Sequence, residues 1–430
     1  MDLAELGWDA VWENTFTPHR QGGLEPARVV HEDKLSYIVV GVSGDRPAII
    51  TGRLRHLCPR DQDLPKVGDW VAVRPVPGES KGVIEALLPR RSQIARKITG
   101  RGTEAQIVVT NIDVAFVVQA MDSTFNARRL ERFLVMVLEG GVRPVLVLNK
   151  LDLCKAPRRM ISEAEAVSGG APVLPVCAKT AKGTGRLREI LAPGLTAVFI
   201  GTSGVGKSSL INRLVGGTLQ PTLQVRDSDS KGRHATTWRE IIPVPQGGLV
   251  IDTPGMREFH LWSADLGLDT AFPDITELAQ GCRFRDCTHG AEPGCAVRSA
   301  LEAGALATGR YESFRKLQAE LDEVDRGRVE QERRVRSSRP KTSARHASPE
   351  DDGGDDGRGV SPAPPCFSAL GPKARALKNP SFRPRWTRCW IPKPPFPPRV
   401  QPLWRGGRHS CPKRRAMGRC ATRLFPDIRM

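Results

Sequence analysis

Gly201-Thr202-Ser203-Gly204-Val205-Gly206-Lys207-Ser208-Ser209 follows the apolar run Ala197-Val198-Phe199-Ile200 and leads into Leu210-Ile211. It fits G-x-x-x-x-G-K-[ST] in the strand, loop, helix setting that the motif requires. The glycines let backbone N–H groups close around phosphate oxygens, and the start of a helix adds partial positive charge there. Lys207 is the candidate for reaching the β- and γ-phosphates and assisting catalysis, and the Ser208 hydroxyl the candidate Mg²⁺ ligand. The loop alone does not separate ATP from GTP, or a hydrolase from a kinase.

Asn149-Lys150-Leu151-Asp152, at the end of the run Val145-Leu146-Val147-Leu148, makes that separation. An Asp carboxylate accepts from both N1–H and the exocyclic amine of guanine, whereas adenine offers no donors at those positions. Leaving such groups unpaired is costly, so the pairing selects GTP. Asn149 is expected to brace neighbouring loops, and the Lys150 stem to cover the base. Val176-Cys177-Ala178-Lys179 ends the next apolar run and looks like the S-A-K element whose backbone N–H meets the guanine oxygen, with Cys177 in the Ser position. An ordinary strand end is the alternative. Asp252-Thr253-Pro254-Gly255 ends Leu249-Val250-Ile251 and fits D-x-x-G, in which Asp252 holds Mg²⁺ through water and the Gly255 N–H senses the γ-phosphate. A plain Asp-Pro-Gly turn is the competing reading.

Between these last two motifs lies a polar stretch from Asp227 to Thr237. A switch-loop Thr there would complete Mg²⁺ coordination, and Thr236 is favoured over Thr237. The residue after Gly255 is Met256, so no Gln is placed to orient water. His234 is the nearest candidate for that role, and a loop histidine with a structural or RNA contact is the alternative.

The apolar runs alternate with helical patterns over 99–261, which marks an α/β sheet. Leu130, Phe133, Leu134, Val137 and Leu138 give one helix its apolar stripe. Every nucleotide motif falls at the C-terminal end of a predicted strand, where open α/β sheets bind ligands. The guanine motif precedes the phosphate loop, the reverse of the usual order, which makes the domain a circular permutation.

Ahead of it, residues 29–98 read as an antiparallel OB-fold barrel. Its short strands include Tyr37–Val40, Ala48–Ile50, Trp70–Val73 and Val83–Leu87, separated by turn signals at Gly44-Asp45-Arg46-Pro47 and Val67-Gly68-Asp69. Residues 1–28 are set apart as an N-terminal extension. Arg53, Arg55, Arg60, Lys66, Arg90, Arg91, Arg96, Lys97 and Arg101, with Tyr37 and Trp70 as stacking platforms, would suit RNA. Barrel core for the aromatics and solvated surface for the arginines is the alternative.

Beyond the sheet, Cys282-x4-Cys287-x-His289-x5-Cys295 offers three thiolates and an imidazole. That is a closed tetrahedral set, which reads as one structural Zn²⁺ rather than a catalytic metal. Helices complete this region, 262–335, one of them carrying the stripe Tyr311, Phe314, Leu317, Leu321 and Val324. Residues 336–430 hold 16 of the 35 prolines and show no sustained periodicity, so disorder is expected. They also carry +15 of the chain's net charge of +18. The overall basicity therefore says little about the body of the 430-residue chain. No apolar run reaches 18 residues, and the acidic start Met1-Asp2-Leu3-Ala4-Glu5 lacks the apolar core of a signal peptide. Together these point to a cytoplasmic protein, expected to be monomeric, with no membrane partner.

With Val67-Gly68-Asp69-Trp70-Val71, Gly201 through Ser209, Asp252-Thr253-Pro254-Gly255-Met256-Arg257-Glu258 and Cys287-Thr288-His289 in this order, residues 28–335 resemble the ribosome small-subunit-dependent GTPase A family. The resemblance implies a GTP hydrolase that assists late 30S-subunit maturation, binds 16S rRNA and is stimulated by the small subunit; hydrolysis is expected to weaken that docking. It also implies that His234 matches the family's switch histidine. Two departures stand out. Ala235 replaces a usual Thr, which bears on the assignment of Thr236, and the tail has no counterpart. A GTP-sensing RNA-binding assembly module with negligible hydrolysis is the other reading.

Overall fold

The computed structural model describes residues 2–33, 36–97, 105–217, 240–252 and 267–338. The tail from 339 onward lies outside them, as do Arg101, His234, Thr236, Thr237 and Gly255.

The chain opens with helix α1 (Ala10–Gln21), capped by Asp9, whose carboxylate accepts from the N–H groups of Val11 and Trp12. It continues through β1 (Glu25–Asp33), β2 (Ser36–Gly41), β3 (Gly44–Ile50), the short helix α2 (Gly52–Leu57), β4 (Trp70–Pro75) and β5 (Gly82–Leu87). The strands close in the order β1-β2-β3-β5-β4, with β4 returning to β1. All neighbours are antiparallel except β3 and β5, which run parallel. A wholly antiparallel barrel is thus corrected: an odd number of strands cannot close a ring with every pair antiparallel. The expected turn at Gly44–Pro47 also moves. The two-residue loop is Val42-Ser43, and Gly44 to Pro47 belong to β3.

Inside the barrel lie Val29, Tyr37, Val39, Ala48, Leu54, Val71 and Ile84. Tyr37 is wholly buried, and Trp70 is buried against Trp8 and Trp12 of the N-terminal segment, with centroids 4.7 and 6.2 Å away. Neither aromatic is a stacking platform for RNA; both are core. The segment before the barrel is therefore a packed aromatic cap, and each such ring pair contributes about 0.5–1.5 kcal/mol beyond burial. Several of the basic residues are engaged as well. Lys66 is buried on Glu32 at 2.6 Å, Arg90 grips buried Asp69 at 2.8 Å, and Arg60 pairs with Asp63 at 2.9 Å. Arg53 and Arg55 on α2 are exposed.

A hairpin of β6 (Gln93–Lys97) and β7 (Ala105–Thr110) leads into the second sheet. Its elements are β8 (Val114–Ala120), α3 (Ala127–Glu139), β9 (Arg143–Asn149), α4 (Pro157–Val167), β10 (Val173–Pro175), α5 (Gly185–Ile190), β11 (Thr196–Ile200), α6 (Lys207–Val215), β12 (Glu240–Pro243) and β13 (Leu249–Asp252). The spatial order is β10-β9-β8-β11-β13-β12, parallel except for the edge strand β12. Alternate residues of β8 serve two cores. Ala115 and Val117 join Leu130 and Leu134 of α3, whereas Val114, Phe116 and Val118 join Leu210 and Leu214 of α6. Burial on both faces explains why these strands read as unbroken apolar runs. At the far edge, β12 pairs with β1 through Glu240 and His31, so barrel and sheet are one hydrogen-bonded system.

Arg28 locks that joint. Its guanidinium is fully buried and donates to the Gly68 carbonyl (3.2 Å), the Asn111 carbonyl (2.8 Å), the Thr196 hydroxyl (2.8 Å) and the Leu6 carbonyl. These acceptors come from the barrel, the linker after β7, the start of β11 and the N-terminal segment. Burial pulls the Arg28 pKa down to about 10, against the supporting charges of Asp113 and Asp69, so it stays protonated at neutral pH. Gly68 makes the approach possible: its φ is +101°, and a Cβ there would sit 2.0 Å from the Thr110 carbonyl oxygen.

The C-terminal part comprises α7 (Gly267–Ala271), α8 (Pro273–Ala279), α9 (Ala296–Glu302) and the long α10 (Thr308–Ser338). Phe314, Leu317, Leu321 and Val324 of the expected stripe are buried, and Tyr311 is half-buried. Docking onto α3 centres on Glu131, a carboxylate with no exposure. Arg310 of α10 reaches it at 2.7 Å, Arg128 at 2.8 Å, and the Ser313 hydroxyl donates to its other oxygen at 2.5 Å. Arg310 also pairs with Asp274 at 2.9 Å.

Replacing Arg28 by Met leaves four polar groups without their donor. Arg28→Met is expected to lower stability by about 3–5 kcal/mol in urea unfolding. Arg28→Lys should recover only part of this, since an ammonium cannot span four directions.

Candidate nucleotide site and cysteine–histidine cluster

Because β8, β9, β10, β11 and β13 are parallel, their C-terminal ends share one edge of the sheet. The phosphate loop leaves β11, Asn149 ends β9, the Cys177 loop follows β10 and Asp252 ends β13. Chain order is thereby irrelevant to how the site is built, and the inverted order of motifs costs nothing in geometry.

Asn149 ties the loops together. It is 2% exposed, its Nδ2 donates to the Val205 carbonyl at 2.8 Å, and its Oδ1 accepts from the Ala178 N–H at 3.1 Å. One amide thus connects the phosphate loop to the Cys177 loop. Gly206 must be glycine for this: its φ is +95°, and a Cβ would meet the Asn149 Nδ2 at 2.3 Å. From the other side, Arg213 of α6 donates to the carbonyls of Ala178 (3.2 Å) and Lys179 (3.0 Å).

Asp152 is exposed on a short 3₁₀ turn, Leu151–Leu153, and its Oδ1 accepts from the Cys177 thiol at 3.1 Å. The thiol is itself buried and orients the carboxylate by this bond. Lys150 has a left-handed backbone, φ +63°, and its Nζ lies 3.1 Å from Asp122. Asp122 carried no motif. Its signal is Asp122-Ser123-Thr124 directly after an apolar strand, a side chain ready to bond its own loop.

Lys207 opens α6, and its Nζ donates to the carbonyls of Gly201 (2.8 Å) and Thr202 (2.9 Å). Burial lowers its pKa, which the charge of Asp252 partly restores. An ammonium held this close to the loop backbone, next to the helix start, favours polyanionic phosphate. Ser203, Gly204, Ser208 and Ser209 are exposed along the same loop. His234, Thr236 and Gly255 lie outside the described residues.

Some way along the chain, Cys282, Cys287, His289 and Cys295 converge, their ligand atoms all within 4.8 Å of one another. The Cys282 and Cys295 sulfurs are 3.9 Å apart, and each is 3.6 Å from the His289 Nδ1. Tetrahedral zinc with Zn–S bonds of about 2.3 Å requires sulfurs about 3.8 Å apart, so the set fits that ion. The loop is held from outside. His289 adopts φ +60°, its carbonyl accepts from the Tyr311 hydroxyl at 2.6 Å, and Glu292 accepts from the Thr288 and Gly290 N–H groups at 3.0 and 2.8 Å.

Comparisons with known proteins agree with this geometry. A family model described as RsgA GTPase matches residues 87–262. The chain is 43% identical over 329 residues to the small ribosomal subunit biogenesis GTPase RsgA of Opitutus terrae, a match covering 74% of this chain and 90% of that protein. It is 41% identical over 302 residues to the small ribosomal subunit biogenesis GTPase RsgA 2 of Lactiplantibacillus plantarum, covering 70% and 85%. Among solved structures it is similar to YjeQ from Thermotoga maritima, with a TM-score of 0.52, 30% identity and coverage of 69% of this chain and 98% of that one. It is likewise similar to YloQ, described as a circularly permuted GTPase, with a TM-score of 0.51, 25% identity and coverage of 70% and 96%. A permuted P-loop sheet behind a five-stranded barrel, with relatives of this length and identity, identifies the chain as a member of the RsgA family of GTPases.

Proposed function

We propose that this GTPase binds the maturing 30S subunit in its GTP state and leaves it on hydrolysis. The observation that carries the nucleotide half of this reading is the Asn149 amide, which holds the phosphate and base-reading loops in one frame. The ribosomal half is supported by the names of the relatives, which are small ribosomal subunit biogenesis GTPases.

In this reading Asp152 accepts from guanine N1–H and its amine, with the Cys177 thiol fixing the carboxylate, and the Ala178 loop supplies the N–H for the guanine oxygen. Leu151 and Lys150 form the wall and cover of the base. Gly201 to Ser209 cradle the phosphates, and Lys207 turns from its loop carbonyls to the β- and γ-oxygens. Ser208, Thr236 and, through water, Asp252 are the residues for Mg²⁺, which when bound neutralises charge on the phosphates. The Gly255 N–H senses the γ-phosphate, and His234 orients the attacking water. Cys282, Cys287, His289 and Cys295 hold one zinc, which when bound cross-links a stretch poor in apolar side chains. The rRNA-facing surface includes exposed Arg53 and Arg55 on the barrel, and the setting is the cytoplasm.

Three outcomes test this. Single-turnover and steady-state assays should show slow hydrolysis that 30S subunits accelerate, and Lys207→Ala should remove both rates. No stimulation by 30S would leave only a GTP-sensing module. Asp152→Asn should weaken GTP binding by about ten- to a hundredfold while improving binding of xanthosine triphosphate; an unchanged preference for GTP over ATP would refute the base assignment. Metal analysis of the purified chain should find one zinc per molecule, lost in Cys282→Ser together with a lower Tm.

A further inference from the structure

We propose that Asp122 is a positioning residue for nucleotide binding, holding Lys150 in place across the base. The inference rests on the reading of Lys150 as the residue covering guanine.

Asp122 follows the end of β8, beside the strand that carries Asn149. The Met121 N–H donates to the Asn149 carbonyl at 2.8 Å, which fixes the two strand ends against each other. The Asp122 carboxylate is divided between two tasks. Its Oδ1 accepts from the N–H and hydroxyl of Thr124, at 2.9 and 2.5 Å, which sets its rotamer. Its Oδ2 is thereby aimed at the Lys150 ammonium, 3.1 Å away. The Thr124 hydroxyl, with help from Lys150, holds the Asp122 carboxyl below the usual carboxylate range, so it is ionised at neutral pH.

Lys150 needs such a partner. A free lysine stem carries about 2 kcal/mol of rotamer entropy. The left-handed backbone at Lys150 fixes where the stem starts, and Asp122 fixes where it ends. Between those two points the stem is confined before any nucleotide arrives, and that ordering need not be repeated on binding. The pair is only part-exposed, 31% and 25% for the two side chains, so it is less screened than a surface bridge.

The test is nucleotide affinity of the full chain, measured with a fluorescent GDP analogue and GTP competition. Asp122→Asn keeps the shape of the loop and removes the charge; it should raise the Kd for GTP about two- to fivefold. In a Lys150→Met background, which keeps the stem without its charge, Asp122→Asn should add no further loss. The gap between wild type and Asp122→Asn should narrow at high salt. Additive losses, or a fall in nucleotide-free Tm that tracks the Kd, would mark a merely structural loop and overturn the proposal. So would an unchanged Kd in a protein that still prefers GTP over ATP. Absence of that preference in the wild type would instead overturn the guanine reading itself.

Discussion

The arrangement of this molecule depends on a single buried charge. Arg28 sits where the barrel, the N-terminal cap, the linker and the central strand of the GTPase sheet meet, and it donates to all four. A buried guanidinium is expensive to desolvate and tolerable only when its donors are matched. Matching them requires the barrel and the sheet to hold one relative position, because the acceptors come from separate parts of the chain. The Trp8, Trp12 and Trp70 rings close over the same joint, and Arg28 lies 5.6 Å from the Trp70 ring centre. The barrel is thereby set against the GTPase sheet by polar geometry and covered by aromatic surface.

The other constraint is the parallel sheet. Five strands pointing the same way bring their loops to one edge whatever the order in which the chain visits them. That is why a guanine motif at 149 and a phosphate loop at 201 can share a site, with Asn149 as the bridge between them. Permutation moves the termini, and the added segments follow. The barrel enters through β1 beside the edge strand β12, and the C-terminal helices return onto α3 through Glu131 and Arg310.

Much of this was legible in the sequence where a periodicity or a motif reports a local physical demand. The parallel strands showed as apolar runs because both of their faces are covered. The α3 stripe at Leu130, Phe133, Leu134 and Val137 appeared because one helix face meets the sheet. The Cys282–Cys295 spacing showed because ligand geometry limits it. What was not legible depends on partners distant in the chain. Tyr37 and Trp70 carry no mark that says core or platform; only the closure of the barrel and the packing of residues 8–16 decide it. Glu131 looks like a solvated helix position until Arg310, 179 residues away, meets it. The parallel β3–β5 pair follows from ring parity, which no local window contains. Arg28 and Asp122 belong to no motif, and their importance lies in what surrounds them.

The pairing of His31 with Glu240 has a mechanical meaning. Glu240 is the first residue of β12, the strand that follows the stretch containing His234 and Thr236 and then turns back to β13 and Asp252. The barrel's first strand is therefore the rail on which one end of that stretch is fastened. The Arg28 joint and the β12–β13 ladder hold that end in place against the sheet. The position of that end relative to Asp252 is thereby already a property of the free chain.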